Sequence, residues 1–395
     1  MTPVRVLHPI TRLIIGGAQE NTMLTADWLN HAPAYRGRYA VTVVCGPQTG
    51  AEGSLIEETR ARGVPLTILP ELVRQISPAQ DMRAFFKLRR MMRQGGYDIV
   101  HTHSSKAGVL GRLAARSAGV PVVVHTVHGW SFHDQMTPAQ RRLYVALEKL
   151  GAWAGDSLIV VSPQDIEKGL VQGIGRREDY TVIRSGVELD RFGHPQTPPE
   201  VMRAQLGLPA SAPVVGSVTR LSPQKAPLDL VRAYAQIARL RPDAWFVIVG
   251  DGPLRGEVER AVRDAGIAPR TLLTGLRRDV PELMAVFDVF VLTSLWEGLP
   301  RVLPQAMATG LPIVCTAADG SAEAVNEGVN GFLTPRGDPA ALAARTIDLL
   351  NDAALRRRLG AAGRTRAPEF GVERMVQQID QHYQHLRARR FNNRP

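Results

Sequence analysis

The sequence predicts an α/β protein built from two doubly wound parallel-sheet domains. Short Val/Ile-rich runs alternate with helical patterns along the whole chain. The runs are continuously apolar, as expected of strands buried on both faces of a parallel sheet. The pattern stops at a Pro-rich polar stretch, residues 194–200, and then begins again. A Pro-rich connection between two complete α/β patterns marks a domain boundary. A hinge is therefore expected within residues 190–212, with 1–192 as the first domain and 193–371 as the second.

In the first half, strands are expected at residues 4–7, 40–44, 66–69, 98–101, 122–125, 158–162 and 181–183. Helical patterns at 78–94 and 139–150 fall between them. In the second half, strands are expected at 214–218, 245–249, 271–274, 289–292 and 313–315. Near the C-terminus, Val372, Met375, Val376, Ile379, Tyr383 and Leu386 recur at helical spacing, so one apolar stripe must pack on something. Ligands of such sheets bind at the carboxyl ends of strands.

Composition narrows the class further. The chain has 395 residues, 44% hydrophobic and 22% charged, an ordinary globular mixture that excludes disordered and collagen-like readings. Its two cysteines, Cys45 and Cys315, exclude a disulfide-built scaffold and are expected as buried thiols in a reducing compartment. No apolar run approaches the ~20 residues of a membrane span, and the opening MTPVRVLHPI lacks a leader's charged and apolar regions. A soluble, cytoplasmic protein is expected.

The net charge of +11 favours anionic partners, but much of the basicity is Arg scattered through helices. No nucleic-acid-reading motif is present, so no nucleic acid is expected. One stripe stands out on the 78–94 helix: Arg83, Lys87 and Arg90, with Arg89 and Arg93 beside it and Met82, Phe85 and Phe86 as its apolar counterpart. It is either a solvated face or a peripheral anchor to the anionic inner face of a membrane.

Residues 294–314, SLWEGLPRVLPQAMATGLPIV, are the most informative segment. A strand leads into a Glu297-Gly298-Leu299-Pro300 turn, a helix and another strand. Gly298 allows close backbone approach, and the helix N-terminus offers free N–H groups to an anion. Pro304 fits only a first helical turn, so the helix is expected to begin near Leu303. Glu297 at this mouth repels phosphate but accepts hydrogen bonds from sugar hydroxyls. An ordinary carboxylate in a strand–turn–helix is the plainer alternative.

Residues 216–233 place Arg220 just past a strand and Lys225 five residues on, before a helix. A guanidinium fork and an ammonium at a strand end suit a diphosphate; a surface salt bridge is the alternative. Residues 121–132 end a strand at His128, with His101, His103 and His133 nearby. Their spacing matches no strong zinc signature, so a hydrogen-bonded strand-end histidine is expected and no metal. Gly16-Gly17, after the first strand, forms a flexible turn whose amides can face phosphate. It is not the G-x-G-x-x-G dinucleotide fingerprint, and Gly250-Asp251-Gly252-Pro253 fails that pattern at Arg255.

Together these segments resemble the retaining glycosyltransferases of family 4, which have the GT-B fold of two Rossmann-like domains facing across a cleft. The resemblance runs through Gly16-Gly17, DIVHTHSSKAG from Asp98, His128-Gly129, TVIRSGVELDRF from Thr181 and TRLSPQK. It continues through GDGPL from Gly250, the Glu297-Gly298-Leu299-Pro300 turn and AMATGLPIV. It implies that Arg220 and Lys225 hold a donor diphosphate, Glu297 contacts donor-sugar hydroxyls and His128 approaches that sugar. Gly17 then lies near the distal phosphate, the Gly275-Leu276-Arg277 loop meets the base largely through backbone, and Gly298, Leu299 and Gln305 complete the donor site. Lys106 and the segment 130–136 are acceptor-side candidates. The final helix, 372–395, is implied to pack back on the N-terminal domain.

Two positions depart from the family pattern: Gln305 stands where a second Glu is usual, and Ser185 where Asn is usual. The implied reaction transfers a sugar from a UDP- or GDP-sugar to a hydroxyl of a lipid-linked or saccharide acceptor, with retention and without metal or cofactor. Its setting is cell-envelope polysaccharide or glycolipid synthesis. The alternatives are a nucleotide-sugar epimerase of the same fold and a non-catalytic sugar-nucleotide-binding protein.

Overall fold

The computed structural model describes residues 2–48, 53–133 and 136–392. The chain forms two compact units, Met1–Gly186 with Val372–Pro395, and Val187–Gly371. The division falls at Gly186/Val187, ahead of the 192/193 boundary expected from the Pro-rich stretch. Val187 donates its N–H to Phe370 O at 2.9 Å, which ties it to the second unit before the prolines are reached. Phe192, in the Leu189–Gly193 helix, is buried there too.

The first unit holds seven strands: β1 (Val4–Arg12), β2 (Tyr39–Gly46), β3 (Leu66–Ile68), β4 (Ile99–His103), β5 (Val122–Val127), β6 (Ser157–Val160) and β7 (Tyr180–Val182). They lie in the order β3-β2-β1-β4-β5-β6-β7, all parallel. The order reverses between β1 and β4, where such a sheet opens a crevice at its carboxyl edge. β1 runs five residues past its expected end, through Pro9. Proline has no donor for a ladder, and the β1–β4 register passes from Leu7↔Val100 to Ile10↔His103 without His8 or Pro9.

The two faces of this sheet are covered differently. Val6, Ile10, Val41 and Val43 face one core together with Met23 and Leu24 of the Gly17–His31 helix. The apolar stripe of the Val372–Asn392 helix, Val372 to Leu386, is buried in that same core. At about 1.5–3 kcal/mol per buried aliphatic side chain, this stripe fastens the helix to the first unit. Asp380 adds a polar clamp, accepting from Arg38 Nη2 at 2.9 Å and Tyr39 OH at 2.5 Å.

On the opposite face, Leu7, Val44 and Val100 meet Ala84, Leu88 and Met92 of the Pro78–Gly95 helix. With that face inward, Met82 and Phe86 stand exposed beside Arg83 and Arg90 rather than opposite them. The basic stripe therefore shares one surface with Met82 and Phe86, whereas Phe85 packs against the core. Deeper in this unit the fully buried Arg112 donates to Glu148 Oε2 at 3.1 Å, and Ser131 donates to Glu148 Oε1 at 3.0 Å.

The second unit holds β8 (Val214–Val218), β9 (Trp245–Val249), β10 (Thr271–Gly275), β11 (Val289–Leu292), β12 (Ile313–Thr316) and β13 (Gly331–Thr334). They lie in the order β10-β9-β8-β11-β12-β13, again parallel, with the reversal between β8 and β11. β13 was not expected; GFLT is short, opens on glycine and has no β-branched run. Its close packing on β12 requires that glycine, since a Cβ at Gly331 would lie 2.3 Å from Ile313 O. Cys45 and Cys315 are free and buried, and burial pushes their thiols up to about 11 and about 12.

Candidate active site

In the second unit, the two strands flanking the reversal deliver the predicted charges. β8 leads to Arg220, and a short 3-10 turn, Pro223–Lys225, presents Lys225. β11 leads to Ser294 and Glu297. Lys225 Nζ pairs with Glu297 Oε1, and Ser294 Oγ donates to the same oxygen at 2.6 Å. The Glu297 side chain is only 8% exposed, so the ammonium and hydroxyl offset the cost of burying its charge.

Backbone contacts hold these loops together. Leu295 N–H donates to Gln224 O at 2.8 Å, Gln224 Nε2 to Trp296 O at 2.9 Å, and Thr293 Oγ1 to Lys225 O at 2.9 Å. A third loop, after β12, supplies Asp319, which accepts from Glu297 N–H at 3.2 Å. Gly320 approaches so closely that a Cβ there would lie 1.6 Å from Gly298 O. The tight approach anticipated at Gly298 is thus made by Gly320, a residue the sequence reading missed, along with Ser294 and Asp319. Its only signal was position: an Asp-Gly pair just past a strand next to β11.

The glycines of Gly250-Asp251-Gly252-Pro253 serve the same loops. A Cβ at Gly250 would fall 2.0 Å from Thr219 O, and one at Gly252 would fall 2.4 Å from Leu221 O. They let this turn support the Arg220 segment from behind. Arg277 is engaged by Asp279, donating from Nε at 2.8 Å and Nη2 at 2.5 Å, while Leu276 is 45% exposed. The guanidinium is thus held by its own loop, and Leu276 is that loop's exposed apolar residue.

The helix after Glu297 is Val302–Thr309, starting one residue before the expected Leu303, with Pro304 in its first turn. Gly298 and Leu299 are buried at its approach. Gln305 is 8% exposed, and its side-chain amide has no hydrogen-bond partner among the described residues.

In the first unit, Gly17 is the first residue of the Gly17–His31 helix and Gly16 is extended, so the pair opens a helix rather than forming a flexible turn. His128 lies just past β5 and is bonded through Nε2 to His103 Nδ1 at 3.1 Å. Behind it His8, His101 and His103 cluster with ligand-capable nitrogens within 4.8 Å, the one such group among the described residues. Every ring nitrogen of the three is engaged: His8 with His103 and Tyr383, His101 with Tyr383 and Thr126, His103 with His8 and His128. His133 is not part of the cluster. Burial holds these rings neutral, His8 down to about 3 and His101 and His103 well below the usual histidine value.

Lys106 pairs with Asp81 and donates to Gln75 O, so its ammonium is satisfied within the protein. Trp130 Nε1 donates to Asp165 O at 2.8 Å and Phe132 is buried. Asp134 and Gln135 of the acceptor-side segment lie outside the described residues.

Residues 199–366 match the family model of group 1 glycosyl transferases, and residues 16–186 match the glycosyl transferase 4-like domain. Over 338 residues the chain is 34% identical to an Escherichia coli UDP-Gal:alpha-D-GlcNAc-diphosphoundecaprenol alpha-1,3-galactosyltransferase, covering 85% of each chain. It is 29% identical over 259 residues to a Corynebacterium glutamicum GDP-mannose-dependent monoacylated alpha-(1-6)-phosphatidylinositol monomannoside mannosyltransferase, covering 63% of this chain and 66% of that one. Among solved structures it resembles HepE of Anabaena in complex with UDP-glucose, with a TM-score of 0.83 and 26% identity over 96% of this chain and 99% of that one.

Proposed function

The chain belongs to the family 4 glycosyltransferases of GT-B fold, and from that premise we propose a retaining, metal-independent sugar transfer from a UDP-sugar to a lipid-linked acceptor. The single observation carrying the site assignment is the Lys225–Glu297 pair, which joins the loops after β8 and β11 at the strand-order reversal, with Arg220 on the first of those loops. Arg220 and Lys225 hold the donor diphosphate and stabilise it more as charge accumulates on it. Glu297, held in place by Lys225 and Ser294, accepts from donor-sugar hydroxyls. His128 acts at the donor sugar.

The bond from anomeric carbon to phosphate oxygen breaks, and a bond to the acceptor oxygen forms on the same face. The acceptor's proton passes to the departing phosphate. A UDP donor is supported by the names of the Escherichia coli galactosyltransferase and the HepE complex. A lipid-linked acceptor is supported by the undecaprenol and phosphatidylinositol acceptors in the names of the two relatives. Synthesis of envelope glycans at a cytoplasmic membrane face fits both.

Thermal-shift titration with UDP- and GDP-sugars tests the donor. A ligand at ~100 times its dissociation constant adds about 2.7 kcal/mol of stability. No shift with any nucleotide sugar would remove the reading. The same titration tests Gln305. A carboxylate can accept from both ribose hydroxyls, whereas glutamine accepts with one oxygen. Gln305→Glu should therefore tighten nucleotide binding about fivefold, the worth of ~1 kcal/mol. A 2′,3′-dideoxy nucleotide should gain nothing; equal tightening for both nucleotides would mean that Gln305 does not face the ribose.

Membrane attachment through the Pro78–Gly95 helix is supported by exposed Met82 and Phe86 lying beside Arg83 and Arg90. Lys87 is committed to Glu71 at 2.6 Å and contributes less. Co-sedimentation with anionic but not neutral vesicles is expected, weakening with salt. Equal, negligible binding to both would exclude this surface as the anchor.

A further inference from the structure

Behind His128 runs an unbroken hydrogen-bonded chain of buried side chains. His128 Nε2 meets His103 Nδ1 at 3.1 Å, and His103 Nε2 meets His8 Nδ1 at 2.8 Å. His8 Nε2 meets Tyr383 OH at 3.3 Å, Tyr383 OH meets His101 Nδ1 at 2.5 Å, and His101 Nε2 meets Thr126 Oγ1 at 2.6 Å. A neutral imidazole carries one proton and one lone pair, so each link fixes the next. Tyr383 could accept from both of its histidines only by leaving its own buried proton unpaired, so the chain has two consistent senses: all protons point toward His128, or all point away from it.

Thr126 decides between them. Its hydroxyl is buried, and His101 Nε2 is its one hydrogen-bond partner among the described residues. If His101 donated to it, the hydroxyl proton would be left buried and unpaired, at a real free-energy cost. If Thr126 donates, every proton in the chain is used. The sense then propagates: Thr126 to His101 Nε2, His101 Nδ1–H to Tyr383, Tyr383 O–H to His8 Nε2, His8 Nδ1–H to His103 Nε2, and His103 Nδ1–H to His128 Nε2.

We propose that this chain, terminated by Thr126 and bridged by Tyr383 of the last helix, holds His128 as the neutral Nδ1–H tautomer with Nε2 as acceptor. Thr126, His101, Tyr383, His8 and His103 are thus positioning residues for His128. The burial that keeps the three inner histidines neutral preserves the relay, because one extra proton would break its single sense. The last helix contributes through Tyr383, which gives the first unit's C-terminal segment a part in transfer beyond packing. The consequence for turnover rests on the role proposed above for His128; the tautomer assignment does not.

The test is imidazole 15N NMR on the full-length protein labelled at histidine, with His128 assigned from the signal missing in His128→Gln. The wild type should show a pyrrole-like Nδ1 and a pyridine-like Nε2 at His128. Thr126→Val, which keeps shape and removes the terminal donor, should convert that signal to averaged or reversed tautomers. Thr126→Ser should restore it. Tyr383→Phe, which cuts the chain at its middle, should act as Thr126→Val does, with the melting temperature recording that both variants are folded. An unchanged His128 signal in both folded variants would overturn the proposal. So would retention of a stoichiometric zinc ion bound through His8, His101 and His103, since ligating nitrogens could not relay these protons. Turnover in Thr126→Val should fall about fivefold at saturating donor, the weight of one hydrogen bond, with the donor KM little changed. A shifted NMR signal with unchanged turnover would leave the tautomer assignment standing and remove His128 from the transfer step.

Discussion

Arg220→Ala and Lys225→Ala are each expected to lower turnover about a hundredfold while the protein stays folded. Each removes a cation from a diphosphate that gains charge as the sugar leaves, and one such stabiliser commonly contributes ~3 kcal/mol to the transition state. The two losses should differ in kind. Arg220 lies just past β8 and is exposed, and its replacement should act on donor binding and transfer. Lys225 also neutralises Glu297, whose carboxylate would be left with Ser294 Oγ as its remaining side-chain donor. Lys225→Ala should therefore lower the second unit's stability as well, and adding Glu297→Gln should recover that stability without recovering turnover. Steady-state kinetics on a UDP-sugar, alongside thermal melts of the two singles and the double, separate these effects. Turnover near wild type in both folded single variants would remove the diphosphate assignment.

Acid should unfold the first unit well before the second. Nine of the ten histidines belong to the first unit, and His194 is the exception. His8, His101, His103 and His125 are all essentially inaccessible, and burial holds their protonation well below the ordinary value of 6.5. A depressed histidine pKa means that the unfolded chain binds protons the folded unit refuses. Stability is therefore intact above pH ~6.5 and is lost as the pH falls below it. One pH unit below, each such histidine costs about 1.4 kcal/mol, so four together cost about 6 kcal/mol. That is comparable with the whole net stability of a domain. Calorimetry between pH 7.5 and about 5.5 should show one transition moving sharply down, and peptide-level hydrogen exchange should map it to β4 and β5 rather than β8 and β9. Transitions that descend together would show that the buried histidines do not set acid stability.

Much of the donor site could be read directly because it is written locally. Arg220, Lys225 and Glu297 follow strands whose apolar runs are obvious, and the loop leaving a strand's carboxyl end is where a parallel sheet places its ligand-binding groups. Pro304 and Gly310 bracket the Val302–Thr309 helix for equally local reasons: one tolerates only a first turn, and the other takes the left-handed cap at φ 82°. Lys106 shows the limit of such reading. It was an acceptor-side candidate by family resemblance, but whether an ammonium is free depends on what a neighbouring helix brings, and here Asp81 has claimed it.

The sequence alone determined the two α/β halves, the order of family motifs and the cations after β8, because periodicity records burial within one element and a motif records the turn it makes. Met82 and Phe86 were visible as apolar residues, yet only the burial of Ala84, Leu88 and Met92 decided that they share a face with the arginines. The Lys225–Glu297 pair, the Asp319 and Gly320 support and the histidine chain were decided by tertiary structure. His8 and His103 stand 95 positions apart, and His101 and Tyr383 stand 282 apart. A hydrogen bond between such residues depends on strand register and on which helix returns to cover the sheet. The local free energies that shape a strand or a turn carry no record of either.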